Sequence, residues 1–266
     1  MKRNYKMCLV RIGSEAVYYS LIKTRIYMPE GVRVLCYHNI KETNSSDPYT
    51  VSIEEFRKQM TLLSEEGYSI ISLEDFLKVK RSGGKCSKTV LLTFDDGYKG
   101  FHSLAYPILK KYNFPLILFL TTKFVHQGGE YLNWDEVHEL YKEDLITIGA
   151  HTRSHNMLTK FSINTARREI LGSKEEIENT LGTPVKAFSY PYGAYNSFLR
   201  NLVKSLGFRV AFTDRFGINS VTTDPFALRR ITIFNIDSLS TFNKKLLGAY
   251  NWRGFFKKGW SGLGKI

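Results

Sequence analysis

The chain has 266 residues, of which 43% are hydrophobic and 24% are charged, so it can form one buried core and is too apolar for an intrinsically disordered protein. Three cysteines are an odd number, and none are spaced as CxxC, which argues against a disulfide framework or a cysteine-only zinc site. The net charge of +13 lies mostly at the ends, with +5 in residues 1–33, +6 in residues 241–266 and only +2 between them. Nucleic-acid-binding proteins usually concentrate basic residues on the working domain, so we expect no nucleic-acid partner.

The first predicted element is an amphipathic helix within residues 1–31, where apolar side chains recur at steps of three and four residues up to Pro29. Further along, apolar runs typical of strands alternate with helical periodicity. The predicted strands are 33–37, 68–72, 89–94, 116–120, 145–150, 187–190, 209–213 and 230–234. The predicted helices are 52–66, 73–80, 101–112, 135–143, 163–181 and 196–206. This order predicts a single α/β domain over residues 32–240, a distorted or incomplete (β/α) barrel of about seven to eight strands.

Residues 241–266 form a separate C-terminal tail that combines aromatic and basic side chains and has no acidic residue. Aromatic rings suit the headgroup region of a bilayer, and each basic residue near an anionic leaflet contributes about 1 kcal/mol. The tail therefore predicts peripheral attachment to an anionic membrane surface, with a helix packed on the barrel as the alternative. No apolar run reaches the ~18 residues of a membrane span, and Met7–Val10 is too short for a secretory signal. We expect a cytoplasmic protein, peripheral at the inner face of the membrane.

Polar side chains cluster where four of the predicted strands end, the face at which barrel enzymes carry their active sites. These clusters are Tyr37–His38, Asp95–Asp96, His151–His155 and Tyr190–Gly193. Two histidines four residues apart and a carboxylate from another strand form a set that commonly holds catalytic zinc with one position open. The second carboxylate of the pair could then act as a general base. The sequence therefore predicts a metal-dependent active site at this face.

Three motifs in these clusters resemble those of the polysaccharide deacetylase family, carbohydrate esterase family 4. They are TFDDGY (93–98), HTRSH (151–155) and YPYG (190–193). The similarity runs from about residue 33 to 240 and includes the segments VLCYHNI, LNWDEV and LRRITI. The resemblance implies a distorted barrel that uses a divalent metal, and zinc is the metal expected first. Its activity would be removal of N-acetyl groups from amino sugars of a polysaccharide, oligosaccharide or lipid-linked glycan.

The resemblance also assigns roles to individual residues. It makes Asp95 the general base and makes Asp96, His151 and His155 the metal ligands. The backbone N–H of Tyr192 would help to hold the oxyanion.

Two departures from the family pattern affect the other roles. Ser189 stands where many members have arginine, and no histidine follows His155 to supply the usual late general acid. The pattern instead resembles the poly-N-acetylglucosamine deacetylase branch, in which an early Tyr-His segment takes that place. His38 is then the candidate acid, and Arg230 is a candidate to replace the missing arginine.

Substrate-binding residues are expected among Trp134, Tyr190 and Arg230. Trp134 could stack on a sugar ring or could be an aromatic at the start of a helix. Cys36 lies inside a strand and is expected to be buried and inert.

Two other functions fit part of the pattern. A catalytically inactive carbohydrate-binding relative would normally lack a metal ligand or the base, and all four of those positions are filled here. An iron oxygenase with two histidines and one carboxylate fits the ligand count, but its usual HxD pairing is absent and its usual fold is all-β.

Overall fold

The computed structural model describes residues 29–83 and 86–250. Residues 1–28, which hold most of the predicted N-terminal helix, and residues 251–266 of the tail lie outside this description. The strands are β1 (Val32–Tyr37), β2 (Asn39–Lys41), β3 (Thr50–Ser52), β4 (Ser69–Ile70), β5 (Thr89–Phe94), β6 (Leu116–Leu120), β7 (Ile146–Ala150), β8 (Ala187–Ser189), β9 (Val210–Phe212) and β10 (Ile231–Thr232). The α-helices are α1 (Ile53–Glu65), α2 (Leu73–Ser82), α3 (Tyr106–Tyr112), α4 (Thr122–Gln127), α5 (Trp134–Tyr141), α6 (Ile163–Leu181), α7 (Ser197–Ser205) and α8 (Leu239–Leu246). A π-helical turn, Phe101–Ala105, leads into α3.

The main sheet is parallel and curls into an incomplete barrel. Its strand order is β10-β1-β5-β6-β7-β8-β9, and β4 pairs with the start of β5. The edge strands β9 and β10 do not pair with each other, but a bridge between Phe212 and Leu228 narrows the gap just before the chain enters β10. This topology confirms the predicted α/β fold.

Both faces of the sheet are buried, and alternate residues of a strand belong to different clusters because strand side chains alternate. In β5, Leu92 and Phe94 pack in the larger cluster, which contains the helices. Leu91 packs instead with Val34, Phe119 and other residues of the remaining strands in a smaller cluster that fills the barrel. Phe76 of α2 also belongs to this inner cluster, and its ring centroid lies 6.4 Å from that of Phe212.

The inward alternation continues beyond the apolar core and places polar side chains at the carboxyl end of the barrel. The inward series are Val34–Cys36–His38, Leu91–Thr93–Asp95, Gly149–His151, Ala187–Ser189 and Leu228–Arg230. The first residues of each series form the apolar interior, and the last residues, at the carboxyl ends of the strands, converge on one site.

The start of the predicted tail is a packed helix. Ser238 accepts a hydrogen bond from the Thr241 N–H and begins α8, in which Phe242 and Leu246 are completely buried. The Lys245 amine is bonded to the Thr232 carbonyl at 2.8 Å and pairs with the Asp237 carboxylate. The packed-helix alternative therefore holds for the described part of the tail, and Phe242 is not available to a membrane.

Attachment through residues 251–266 stays a prediction, since they lie outside the described chain. Among the described residues, no helix has the length and apolar character to cross a bilayer.

Candidate active site

Asp95 directly follows β5, and its carboxylate is held by a bidentate arginine. Arg230 Nη1 donates to Oδ1 at 2.7 Å and Nη2 donates to Oδ2 at 2.8 Å, while the Ser189 hydroxyl donates to Oδ2 at 3.1 Å. Asp95 is 2% exposed, and burial by itself raises its pKa. The Arg230 guanidinium overrides burial and, with His151, holds the pKa of Asp95 well below its usual range. Asp95 is therefore an ionised carboxylate at any working pH.

Arg230 is not a substrate contact, contrary to the sequence prediction. It is 1% exposed, and two of its three remaining N–H groups donate to the Thr213 carbonyl at 3.1 Å and to Asp214 Oδ1 at 2.7 Å. Buried and bonded in this way, the guanidinium positions Asp95. Its proximity to Ser189 agrees with the expectation that it replaces the arginine missing from that position.

Asp96, His151 and His155 bring three ligand atoms together beside Asp95. Asp96 Oδ1 lies 3.5 Å from His151 Nε2 and 3.3 Å from His155 Nε2. His151 Nδ1 lies 2.7 Å from the Ser189 carbonyl, which can only accept, so Nδ1 carries the proton and Nε2 presents its lone pair to the cluster.

These residues fit a divalent metal ion. Ligands about 2.0–2.1 Å from a tetrahedral zinc ion are about 3.3–3.4 Å apart, close to the two distances from Asp96 Oδ1. Asp96 Oδ1 is buried, and no described residue donates a hydrogen bond to it. A buried acceptor without a donor is costly, and a cation at this point supplies the missing partner. Zinc suits a set of two imidazoles and one carboxylate.

The electrostatics of the metal-free cluster agree with this assignment. Burial lowers the pKa of His151 to about 3, so the ring is neutral and able to coordinate. Burial raises the pKa of Asp96 to about 6, and the neighbouring Asp95 carboxylate adds to the rise. The pKa values of these two adjacent buried carboxyl groups therefore shift in opposite directions. Asp95 is paired with the Arg230 guanidinium, and Asp96 is paired with no lysine or arginine among the described residues.

Backbone strain is concentrated at this site. Of the five non-glycine residues with positive φ in the described chain, four lie here: Asp96 (72°), Thr152 (67°), His155 (56°) and Tyr192 (59°). Each such residue costs on the order of 1–3 kcal/mol and persists only when its surroundings hold it. The His155 N–H, for example, donates to the Thr152 hydroxyl at 3.0 Å. Strain at a cluster of ligands points to a geometry kept for function.

His38 and Tyr192 each contact a different member of the site. A His38 ring nitrogen and an Asp95 carboxylate oxygen are within 4.8 Å of each other, and His38 Nδ1 is a buried atom with no hydrogen-bond partner in the described chain. The His38 ring packs on Tyr49 with centroids 4.8 Å apart. Tyr192 is 59% exposed, and its ring centroid lies 4.8 Å from that of His155. Both residues are therefore within reach of a substrate held beside the cluster.

The two other predicted substrate contacts lie elsewhere. Tyr190 is completely buried, and its hydroxyl donates to the Phe226 carbonyl at 3.2 Å, so the predicted contact with substrate is not available to it. The reason is strand alternation: Ser189 points into the barrel, and Tyr190 packs in the outer cluster. Trp134 begins α5 and packs, partly buried, against that same cluster. Its position therefore matches the alternative of an aromatic residue at the start of a helix, not that of a residue stacked on a sugar ring.

Sequence reasoning missed Asp214 and Tyr49. Asp214 follows β9 and accepts a hydrogen bond from Arg230, and a carboxylate just after a strand was the signal that could have found it. Tyr49 directly precedes the short strand β3, which the sequence did not predict, and nothing in its local sequence indicates contact with His38.

A site of this composition at the carboxyl end of an incomplete parallel barrel is typical of metal-dependent hydrolases. The sequence model of that class described as "Polysaccharide deacetylase" matches residues 82–211. This match covers just under half of the chain and identifies a polysaccharide deacetylase domain there.

Known proteins extend the likeness over most of the chain. A Bacillus subtilis protein, YxkH, is named for the same family and is 29% identical over 77% of this chain and 72% of its own length. A Staphylococcus epidermidis protein named poly-β-1,6-N-acetyl-D-glucosamine N-deacetylase is 26% identical over 78% of this chain and 73% of its own length. The solved structure of the Streptococcus pyogenes deacetylase PplD in complex with acetate has a TM-score of 0.75 and 25% identity, covering 83% of this chain and 99% of PplD.

Proposed function

We propose that this protein is an N-deacetylase that removes acetyl groups from N-acetylated amino sugars of a glycan, with zinc as its first-choice metal. The observation that carries the proposal is the arginine-held Asp95 beside the buried cluster of Asp96, His151 and His155. The names of the staphylococcal and streptococcal relatives support the same reaction class.

An amide is a poor electrophile, and its amine is a poor leaving group, so hydrolysis needs help at three points. A divalent ion bound by Asp96, His151 and His155 supplies Lewis acidity for the acetyl carbonyl and for the attacking water. The protein's own residues must then accept a proton from water, hold the developing negative charge and protonate the nitrogen that leaves.

Asp95 is the residue that accepts the proton in this proposal. Its Oδ2 lies 3.7 Å from His151 Nε2, so the carboxylate borders the cluster that would hold the ion. Arg230 keeps Asp95 ionised and fixes the plane of its carboxylate through two hydrogen bonds. Its low pKa makes Asp95 a weak base. For the same reason, Asp95 readily releases the proton that it takes from water, so it is ionised again before the next turnover.

His38 and Tyr192 complete the reaction in this proposal. His38 has a ring nitrogen within 4.8 Å of the Asp95 carboxylate and delivers a proton to the departing sugar nitrogen in this proposal. Tyr192 has a left-handed backbone beside His155, and in this proposal its N–H holds the oxygen that becomes negative in the transition state. An inactive carbohydrate-binding protein needs neither the strained ligands nor the arginine-held base.

The test is release of acetate from chito-oligomers, from poly-β-1,6-N-acetylglucosamine and from lipid-linked N-acetylated sugars by zinc-loaded protein. We expect release by the wild type and none by Asp95→Asn, while the metal content of both stays equal. Asp144→Asn is the matched control, because Asp144 is exposed. Absence of acetate from every substrate with fully loaded wild type would show that the proposed function is wrong.

A further inference from the structure

A second group of metal-ligating atoms lies next to the proposed catalytic cluster. The Cys36 thiol, a ring nitrogen of His38 and a carboxylate oxygen of Asp95 all lie within 4.8 Å of one another. This group shares no residue with the cluster of Asp96, His151 and His155. Cys36 is completely buried and has no part in the proposed reaction.

One distance in the second group is close to that between two ligands of a tetrahedral zinc ion. Zinc bonds of about 2.3 Å to sulfur and about 2.0 Å to oxygen place the two ligand atoms about 3.5 Å apart. Cys36 Sγ and Asp95 Oδ2 are 3.8 Å apart. His38 is only partly buried, so its ring can adjust, and its buried Nδ1 has no hydrogen bond to give up within the described residues.

We propose that Cys36, His38 and Asp95 form a second, inhibitory site for a zinc-like ion. A thiolate and an imidazole select borderline and soft cations over Mg²⁺ or Ca²⁺. On coordination the Cys36 thiol loses its proton to solvent, and the sulfur–metal bond takes its place. An ion held there engages Asp95 and His38 together, so the base and the acid are both withdrawn from the reaction.

The second site is the weaker of the two. Asp95 Oδ2 already accepts hydrogen bonds from Arg230, from Ser189 and from the Cys36 thiol itself, and the positive charge of Arg230 opposes another cation nearby. The ion bound at the first site adds to that opposition. The second site is therefore expected to be occupied only when metal exceeds one equivalent. Excess zinc would then inhibit the enzyme. Binding is independent of the reaction, whereas inhibition rests on the proposed function.

The binding test is a titration of the metal-free, full-length protein with Co²⁺, followed by near-ultraviolet absorption. A thiolate bound to Co²⁺ absorbs there, whereas nitrogen and oxygen ligands do not. We expect two equivalents to bind to the wild type, with the thiolate band rising only during the second. Cys36→Ala should bind one equivalent without the band. Cys86→Ala is the matched control, since Cys86 is also a buried free thiol, and should behave as the wild type.

A single equivalent in the wild type, or an unchanged band in Cys36→Ala, overturns the proposal. Cys36→Ser preserves the size of the side chain and serves if the alanine variant fails to fold. Acetate release in excess zinc adds the second readout: wild type should fall by about 10²-fold or more, because the base is withdrawn, while Cys36→Ala should not. If no acetate is released at one equivalent of zinc, the proposed function is contradicted but the second metal site is not. The cobalt titration tests that site without any measurement of activity.

Discussion

The Arg230–Asp95 pair gives the sharpest test of how the site is held together, through the substitution Arg230→Gln. Both side chains are at most 2% exposed, and the guanidinium makes two direct bonds to the carboxylate. Glutamine removes the charge and leaves Asp95 buried beside Asp96. A buried charge that loses its partner costs about 3–5 kcal/mol.

That loss is large against the total stability of about 5–15 kcal/mol for a protein domain. With a denaturant slope of about 2–3 kcal/mol per molar urea, the midpoint should fall by about 1–2 M. The loss should also depend on pH. Burial without the guanidinium raises the pKa of Asp95 above that of the unfolded chain, so the folded variant is stable at low pH and is destabilised as pH rises. The gap to wild type therefore widens from pH 5 to pH 8.

Urea unfolding of metal-free wild type, Arg230→Gln, Asp95→Asn and the double variant measures the pair directly. The double variant has no stranded charge, so it should be more stable than the sum of the single losses allows. Turnover by Arg230→Gln should fall by about 10²–10⁴-fold at neutral pH, because a protonated Asp95 cannot act as a base. A loss of stability under about 1 kcal/mol, or strict additivity in the double variant, would refute the reasoning.

Three further predictions concern other parts of the site and the tail. His38→Ala should lower kcat by about 10²–10⁴-fold with unchanged metal content, and normal turnover would remove His38 from the mechanism. Tyr190→Phe deletes the bond to the Phe226 carbonyl, so it should cost about 1 kcal/mol of stability in urea and leave KM unchanged; a raised KM would restore Tyr190 as a substrate contact. Deletion of residues 251–266 should abolish salt-sensitive pelleting with anionic vesicles, and equal pelleting of both proteins would contradict attachment through the tail.

Local pattern was enough for the strongest elements of the fold. The apolar run of Thr89–Phe94 predicted β5 with its observed bounds, and helical periodicity did the same for Ile163–Leu181. Two short elements were not fully predicted. Thr122–Gln127 has six residues, too few for a helical repeat to show, and α8 was predicted only as the alternative to a membrane-binding tail. The burial of Lys245 in α8 depends on Asp237, a contact that composition cannot show.

In the site, too, residues in local motifs could be predicted from the sequence, whereas a contact between distant segments could not. Asp95, Asp96, His151 and His155 belong to motifs that lie at strand ends, so their meeting followed from the parallel topology. The function of Arg230 depends on an ion pair between residues 135 positions apart in the chain.

The central claim is that a metal ion at Asp96, His151 and His155 is required for deacetylation. The most direct measurement restores zinc stepwise to metal-free wild type and follows acetate release from an N-acetylglucosamine oligomer against bound metal. The account predicts release that rises in proportion to bound zinc and is maximal at one equivalent, with neither release nor tight zinc binding in His155→Ala. Release that is already complete in the metal-free protein, or full tight zinc binding by His155→Ala, would contradict it.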